Sequence, residues 1–138
     1  MGVLRTTGKV LGLVLALASL APNTPSLAAQ TRLEAEATAA AESWLRAVDA
    51  NRTNQVWEGV ASEVKRRVSR PKWEDLFLSE RRALGRTLSR RLVRILLDTE
   101  GAIVTFQSSF EKKKPGGELL VLAREEDGRW RVMGYELL

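Results

Sequence analysis

Apolar positions recur at two different periods along this chain, and the change-over lies near Gly85. From Thr31 to Ala50, Ala37, Ala41, Trp44, Leu45 and Val48 fall at helical spacing, while Glu36, Glu42, Arg46 and Asp49 lie elsewhere on the wheel. The pattern predicts an amphipathic helix with a small alanine face and Trp44 as its large anchor. Asn51-Arg52-Thr53-Asn54 interrupts it, and a second helix is expected from Asn54 to Val60 with Val56, Trp57 and Val60 on one side. Val64 and Val68 continue the apolar contacts, and Ser69-Arg70-Pro71 has the cap-then-proline order that opens a third helix. Its stripe reads Trp73, Leu76, Phe77, Glu80 and Leu84, and Gly85 supplies the stop.

Beyond Gly85 the period becomes two. Leu88 to Leu97 is rich in Leu, Val and Ile, and Thr99-Glu100-Gly101 is a turn. Ala102 to Phe110 then alternates, with Ala102, Val104, Phe106 and Phe110 on one face and Thr105, Gln107 and Ser109 on the other. Lys114-Pro115-Gly116-Gly117 is expected to reverse the chain before a third strand from Leu119 to Arg124. Asp127-Gly128 turns into the last strand, Trp130 to Leu137. Strands joined by links this short are antiparallel neighbours, so they form a four-stranded meander. Three helices followed by a meander is an α+β layout in which N-terminal helices cover one face of the sheet. Leu119-Leu120-Val121-Leu122 is apolar on both sides, which points to partial burial of the second face by curvature, by the long first helix or by a second copy in a homodimer.

Residues 1–28 have the layout of a secretory signal peptide. Arg5 and Lys9 precede an apolar run from Val10 to Leu20, and Pro22 and Pro25 lead to small residues, with the cut expected after Ala28 or, alternatively, Ala29. The run is shorter than the roughly 20 residues that span a bilayer, and there is no cysteine near the cut to carry a lipid. The expectation is a periplasmic or secreted domain over residues 29–138 with no membrane span after cleavage. It has no Cys and therefore no disulfide. With no His either, the ordinary zinc, haem and copper sites and the Ser-His and Cys-His nucleophile systems are excluded, and no cofactor is expected.

The residues also carry a resemblance. Ala41-Glu42-Ser43-Trp44-Leu45 with Val48-Asp49-Ala50, Trp57, Val68-Ser69 with Trp73, and Leu84-Gly85 come in this order. They are followed by Ser89-Arg90-Arg91-Leu92, Phe106 to Lys113, and Asp127-Gly128-Arg129-Trp130-Arg131-Val132 with Gly134-Tyr135. In order and spacing they resemble the bacterial exported proteins grouped as domain of unknown function 4019. The resemblance implies a cystatin-like or NTF2-like fold in the cell envelope; it implies no activity and brings no catalytic residues.

Three features bear on chemistry. Residues 65–94 carry eleven basic and three acidic groups, against a net +3 for residues 30–138. Lys65, Arg66, Arg67, Arg90, Arg91 and Arg94 are thus candidates to face anionic lipid head groups or an acidic partner, although a solvated helix face paired with the acidic first helix explains them as simply. Nucleic acid is not expected, since no recognition motif accompanies the charge. A space between helices and sheet, lined by Trp44, Trp57, Trp73, Phe77 and Phe106 with Gln107, Ser109 or Tyr135 as polar handles, is either a ligand pocket or a filled core. Asp49, Glu58, Asp75 and Glu80 are the acids from which a carboxylate enzyme could draw, but no recognisable spacing joins them. The expectation is a non-enzymatic ligand-binding or protein-interaction module of the cell envelope.

Overall fold

The structure is a computed structural model and describes residues 24–138. Most of the expected leader lies outside these residues; within them Ser26 caps the first helix, accepting from Ala29 N at 3.2 Å. Helix α1 runs Leu27–Asp49, α2 Thr53–Glu58, α3 Ser62–Arg67 and α4 Arg70–Leu84. The segment after α2 thus contains a short helix of its own. None of the described helices is long and apolar enough to cross a membrane.

Strands β1 (Thr87–Leu97), β2 (Gly101–Phe110), β3 (Lys113–Arg124) and β4 (Trp130–Leu137) form an antiparallel sheet in the order β1-β2-β3-β4. The β2–β3 reversal falls at Glu111-Lys112, not at Lys114 to Gly117. Pro115 is tolerated within β3 because β4 pairs with β3 only from Glu118 onward, so Pro115 lies where no ladder runs on that side.

The first helix ends in a way that matters for everything below. Asn51 takes a left-handed conformation (φ 55°), and the chain closes with Asn51 N donating to Val48 O at 3.1 Å and Arg52 N to Ala47 O at 2.9 Å. This pair of bonds caps the last carbonyls and fixes Asp49 as the final helical residue. Ala37, Ala41, Trp44, Leu45 and Val48 pack on Ala102, Val104, Phe106, Leu120, Leu122 and Val132 to make the core. The β2 alternation is as expected, with one polar addition: Ser108 shares the buried face.

In β4 the register slips between Val121–Gly134 and Leu122–Val132, so an extra residue sits at Met133-Gly134. The bulge reverses the phase of the strand. Val132 points inward, and so does Tyr135, although strict alternation would place Tyr135 outside. The stripe on α4 is displaced as well: Phe77, Arg81 and Leu84 are buried, whereas Leu76 is 62% exposed and Glu80 is exposed.

Candidate functional site

Helices α1 and α4 both end over the part of the sheet where β1 begins and β2 ends, and each places a charge there. Asp49 closes α1, where an anion meets the negative end of the helix dipole, an unfavourable place that calls for compensating cations. Arg81, in the last turn of α4, provides one: its Nη2 donates to Asp49 Oδ1 at 2.9 Å. Arg90 of β1 provides the other, Nη1 to Asp49 Oδ2 at 2.7 Å. Both arginines also reach Glu118 of β3, whose side chain has no solvent exposure. Glu118 Oε1 accepts from Arg90 Nε at 2.8 Å and Ser108 Oγ at 2.6 Å, and Oε2 from Tyr135 Oη at 2.7 Å and Arg81 Nη1 at 3.2 Å. Thr87 Oγ1 closes the ring onto Asp49 at 2.8 Å.

Two carboxylates and two guanidinium groups thus neutralise one another, with Glu118 and Arg81 buried and Asp49 at the solvent margin, and every side-chain oxygen of Glu118 is taken. Arg81 also stacks on the Phe110 ring, 4.9 Å from its centroid, and only its Nε lacks a partner. Burial acts to lower the Arg90 pKa, but its hydrogen bonds to the Asp49 and Glu118 carboxylates outweigh it and hold the guanidinium above its ordinary value. Burial, reinforced by the Glu118 charge, pushes the Tyr135 phenol well above its ordinary value. A cluster of this kind fixes the angle between helices and sheet but presents no free acid, base or nucleophile.

Beside it the aromatic residues fill the remaining space. Trp44 is 5% exposed and sits against Phe77 (5.3 Å), Tyr135 (6.0 Å) and Trp73 (6.5 Å), with Trp73 stacked on Phe77 at 4.8 Å and Trp57 against Trp73 at 5.6 Å. Trp44 Nε1 donates to Val56 O at 2.9 Å. Phe106 is 1% exposed within the core. Of the expected lining, Trp44, Trp57, Trp73, Phe77 and Tyr135 therefore form one ring-to-ring cluster and Phe106 packs beside it. Gln107 does not join them: it lies on the opposite face, bonded to Arg91 Nη2 at 2.5 Å, because the residue between two inward positions must point out. Of the two readings of this space, the rings favour the filled core, with grooves left at its margins: one of ≈ 240 Å³ between α4 and β4, bordered by Trp73, Leu76 and Glu80, and one of ≈ 400 Å³ beside Trp44, bordered by Ala40, Gly59 and Trp130.

The basic stretch is also divided by the fold. Lys65, Arg66 and Arg67 are on α3, next to the β4 edge where Val60 bridges to Val132; Lys65 lies over the Trp57 ring, while Arg66 and Arg67 pair with Glu63. Arg90, Arg91 and Arg94 are on β1, the opposite edge, and Arg90 faces inward to Asp49 and Glu118. The six do not form one anion-facing surface. Of the four candidate acids, Asp49 alone enters the cluster; Glu58, Asp75 and Glu80 are exposed and apart.

Sequence reasoning missed Arg81, Glu118, Ser108 and Thr87. Two signals were present: Glu118 precedes Leu120 and Leu122 at the inward period, and Ser108 interrupts the Ala102-Val104-Phe106-Phe110 face. A polar residue in an apolar alternation is a request for a partner.

The model of the family described as "Protein of unknown function (DUF4019)" matches residues 40–135. The chain belongs to the DUF4019 family. The matched span runs from the Trp44 helix to Tyr135 and so includes every member of the ion cluster. No curated protein and no solved structure matches the chain.

Proposed function

We propose that this DUF4019 chain is an exported, non-enzymatic protein-interaction module of the bacterial cell envelope. The observation that carries the reading is Glu118: a fully buried carboxylate whose oxygens are all occupied by Arg81, Arg90, Ser108 and Tyr135. The centre of the inter-layer space, which would serve as a pocket in a cystatin-like or NTF2-like cone, is taken up by this cluster and by the Trp44 aromatic group, and the remaining grooves lie at its margins. That arrangement supports binding at the outer surfaces rather than chemistry inside. Export rests on the signal-like Met1 to Ala28 segment. Native mass spectrometry of the protein isolated from its own host tests the reading. The expected mass is that of unliganded polypeptide beginning at Ala29 or Gln30; a small molecule that stays bound in native spray and leaves on denaturation would overturn it.

A further inference from the structure

The helices cover one face of the sheet, and no described residue packs over the other. Its side chains can be read in rows across the four strands. One row is Leu96, Ile103, Val121 and Gly134; the next is Arg94, Thr105, Leu119 and Glu136. Leu96 is 43% exposed and Val121 37%. Arg94 and Glu136 are exposed, and neither has a salt-bridge partner among the described residues. The two rows are thus asymmetric in complementary senses: the Leu96 row has a large side chain on the β1 edge and none on the β4 edge, and the Arg94 row has a cation on the β1 edge and an anion on the β4 edge.

Gly134 sharpens this. Its φ is not among the positive ones, and a β-carbon placed there would meet nothing closer than Val121 Cβ and Cγ2 at 3.9 Å. Nothing inside the chain therefore requires glycine at this position.

We propose that this face is the seat of a second copy of the same chain, related by a two-fold axis parallel to the strands. Such an axis keeps each row at its own level and exchanges the edges, so β1 of one copy lies over β4 of the other. Leu96 then seats on the bare backbone at Gly134 of the partner subunit, Ile103 packs on its Val121, and Arg94 pairs with its Glu136, each contact made twice. A two-fold axis running across the strands would instead set β1 over β1, with Leu96 against Leu96 and Gly134 left unfilled.

Stacked sheets pack about 10 Å apart and rotate by roughly 30° relative to one another. With strands about 4.8 Å apart, each edge lies ~7 Å from the axis, so that rotation displaces the edge rows by ~4 Å. An arginine side chain spans such an offset. The face is about 20 Å wide and 25 Å long, on the order of 500 Å² per copy, below the roughly 800 Å² per partner of a standard stable interface. The dimer is therefore weak, with a Kd on the order of 1–100 µM.

This inference deepens the interaction-module reading by naming the partner, and sedimentation equilibrium from 1 to 500 µM separates the two. The parent protein should associate to dimers in that range, more weakly as salt rises. Gly134→Leu, which has room in the monomer, should keep its circular dichroism and melting temperature and weaken dimerisation at least tenfold. Arg94→Glu and Glu136→Arg should each weaken it about tenfold, and the double exchange should restore it to within about threefold. A parent that stays monomeric at 500 µM, or a dimer indifferent to Gly134→Leu, or single exchanges that the double does not rescue, would overturn the proposal. None of those results would disturb the reading as an interaction module, which fails instead on a bound small molecule.

Discussion

Replacing Glu118 by glutamine is the most informative single perturbation of this fold. The side chain keeps its shape and one oxygen, but an amide NH2 now faces guanidinium and phenol donors that previously met a carboxylate. Asp49 alone must balance Arg81 and Arg90, and one net positive charge is left inside the domain. Breaking a buried pair on one side costs roughly 3–5 kcal/mol, because the stranded charge loses its compensation without regaining water. That is a large part of the 5–15 kcal/mol that holds a typical domain together. At about 4 °C per kcal/mol for a domain near this size, it corresponds to a drop in Tm of about 12–20 °C. Urea unfolding followed by tryptophan fluorescence gives the free energy directly, with Trp44 beside Tyr135 as the reporter. A Glu118→Gln protein within 1 kcal/mol of the parent would refute the reasoning, since the cluster would then not be holding the layers together.

Two further predictions concern its neighbours. A β-carbon on Gly59 would sit 2.5 Å from Trp44 Cδ1, and the Trp44 ring is confined by Phe77, Trp73 and Tyr135. Gly59→Ala should therefore cost about 1–3 kcal/mol by overpacking, despite the better helix propensity of alanine; an unchanged or raised Tm would contradict it. Tyr135 contributes at alkaline pH through its raised pKa. The unfolded phenol ionises near its ordinary value of about 10 while the folded one stays protonated, so its contribution is complete below that pH and is lost as the pH rises above it, by up to about 1.4 kcal/mol per pH unit. Tyr135→Phe should lose about 1–2 kcal/mol at neutral pH with the bond to Glu118 and show a shallower decline between pH 10 and 11; identical slopes would count against burial of this hydroxyl.

Much of the architecture was legible because it follows from period alone. The Ala37-to-Val48 stripe and the Ala102-to-Phe110 alternation place their helix and strand unaided, and the short links dictate a meander. What the sequence hid depends on tertiary events. Tyr135 was legible as an interior polar group and Gly134 as a place where the strand can bend, but not that the extra residue falls at Met133-Gly134 and reverses the phase of the strand there. Arg81 displaces Glu80 from the buried stripe of α4 because Asp49 and Glu118 await a cation there, and those partners lie 32 and 37 residues away. Pro115-Gly116-Gly117 reads as a reversal, yet β3 begins before it because β4 ends opposite Glu118. Arg90 lies among basic neighbours in the chain, but the strand alternation turns it and Arg91 to opposite faces of the sheet.

Arg81 and Arg90 are locked between helices and sheet by Asp49 and Glu118, and this ion cluster stands where a ligand site would otherwise open. Nitrogen-15 NMR of the arginine guanidinium groups tests it most directly. Arg81 and Arg90 should show Nε and Nη protons in slow exchange with water and Nη signals resolved by hindered rotation, while Arg46, exposed on α1 and away from the open sheet face, shows fast exchange and averaged signals. Averaged, rapidly exchanging signals from Arg81 and Arg90 would mean that water enters the cluster, and the closed interior would have to be abandoned.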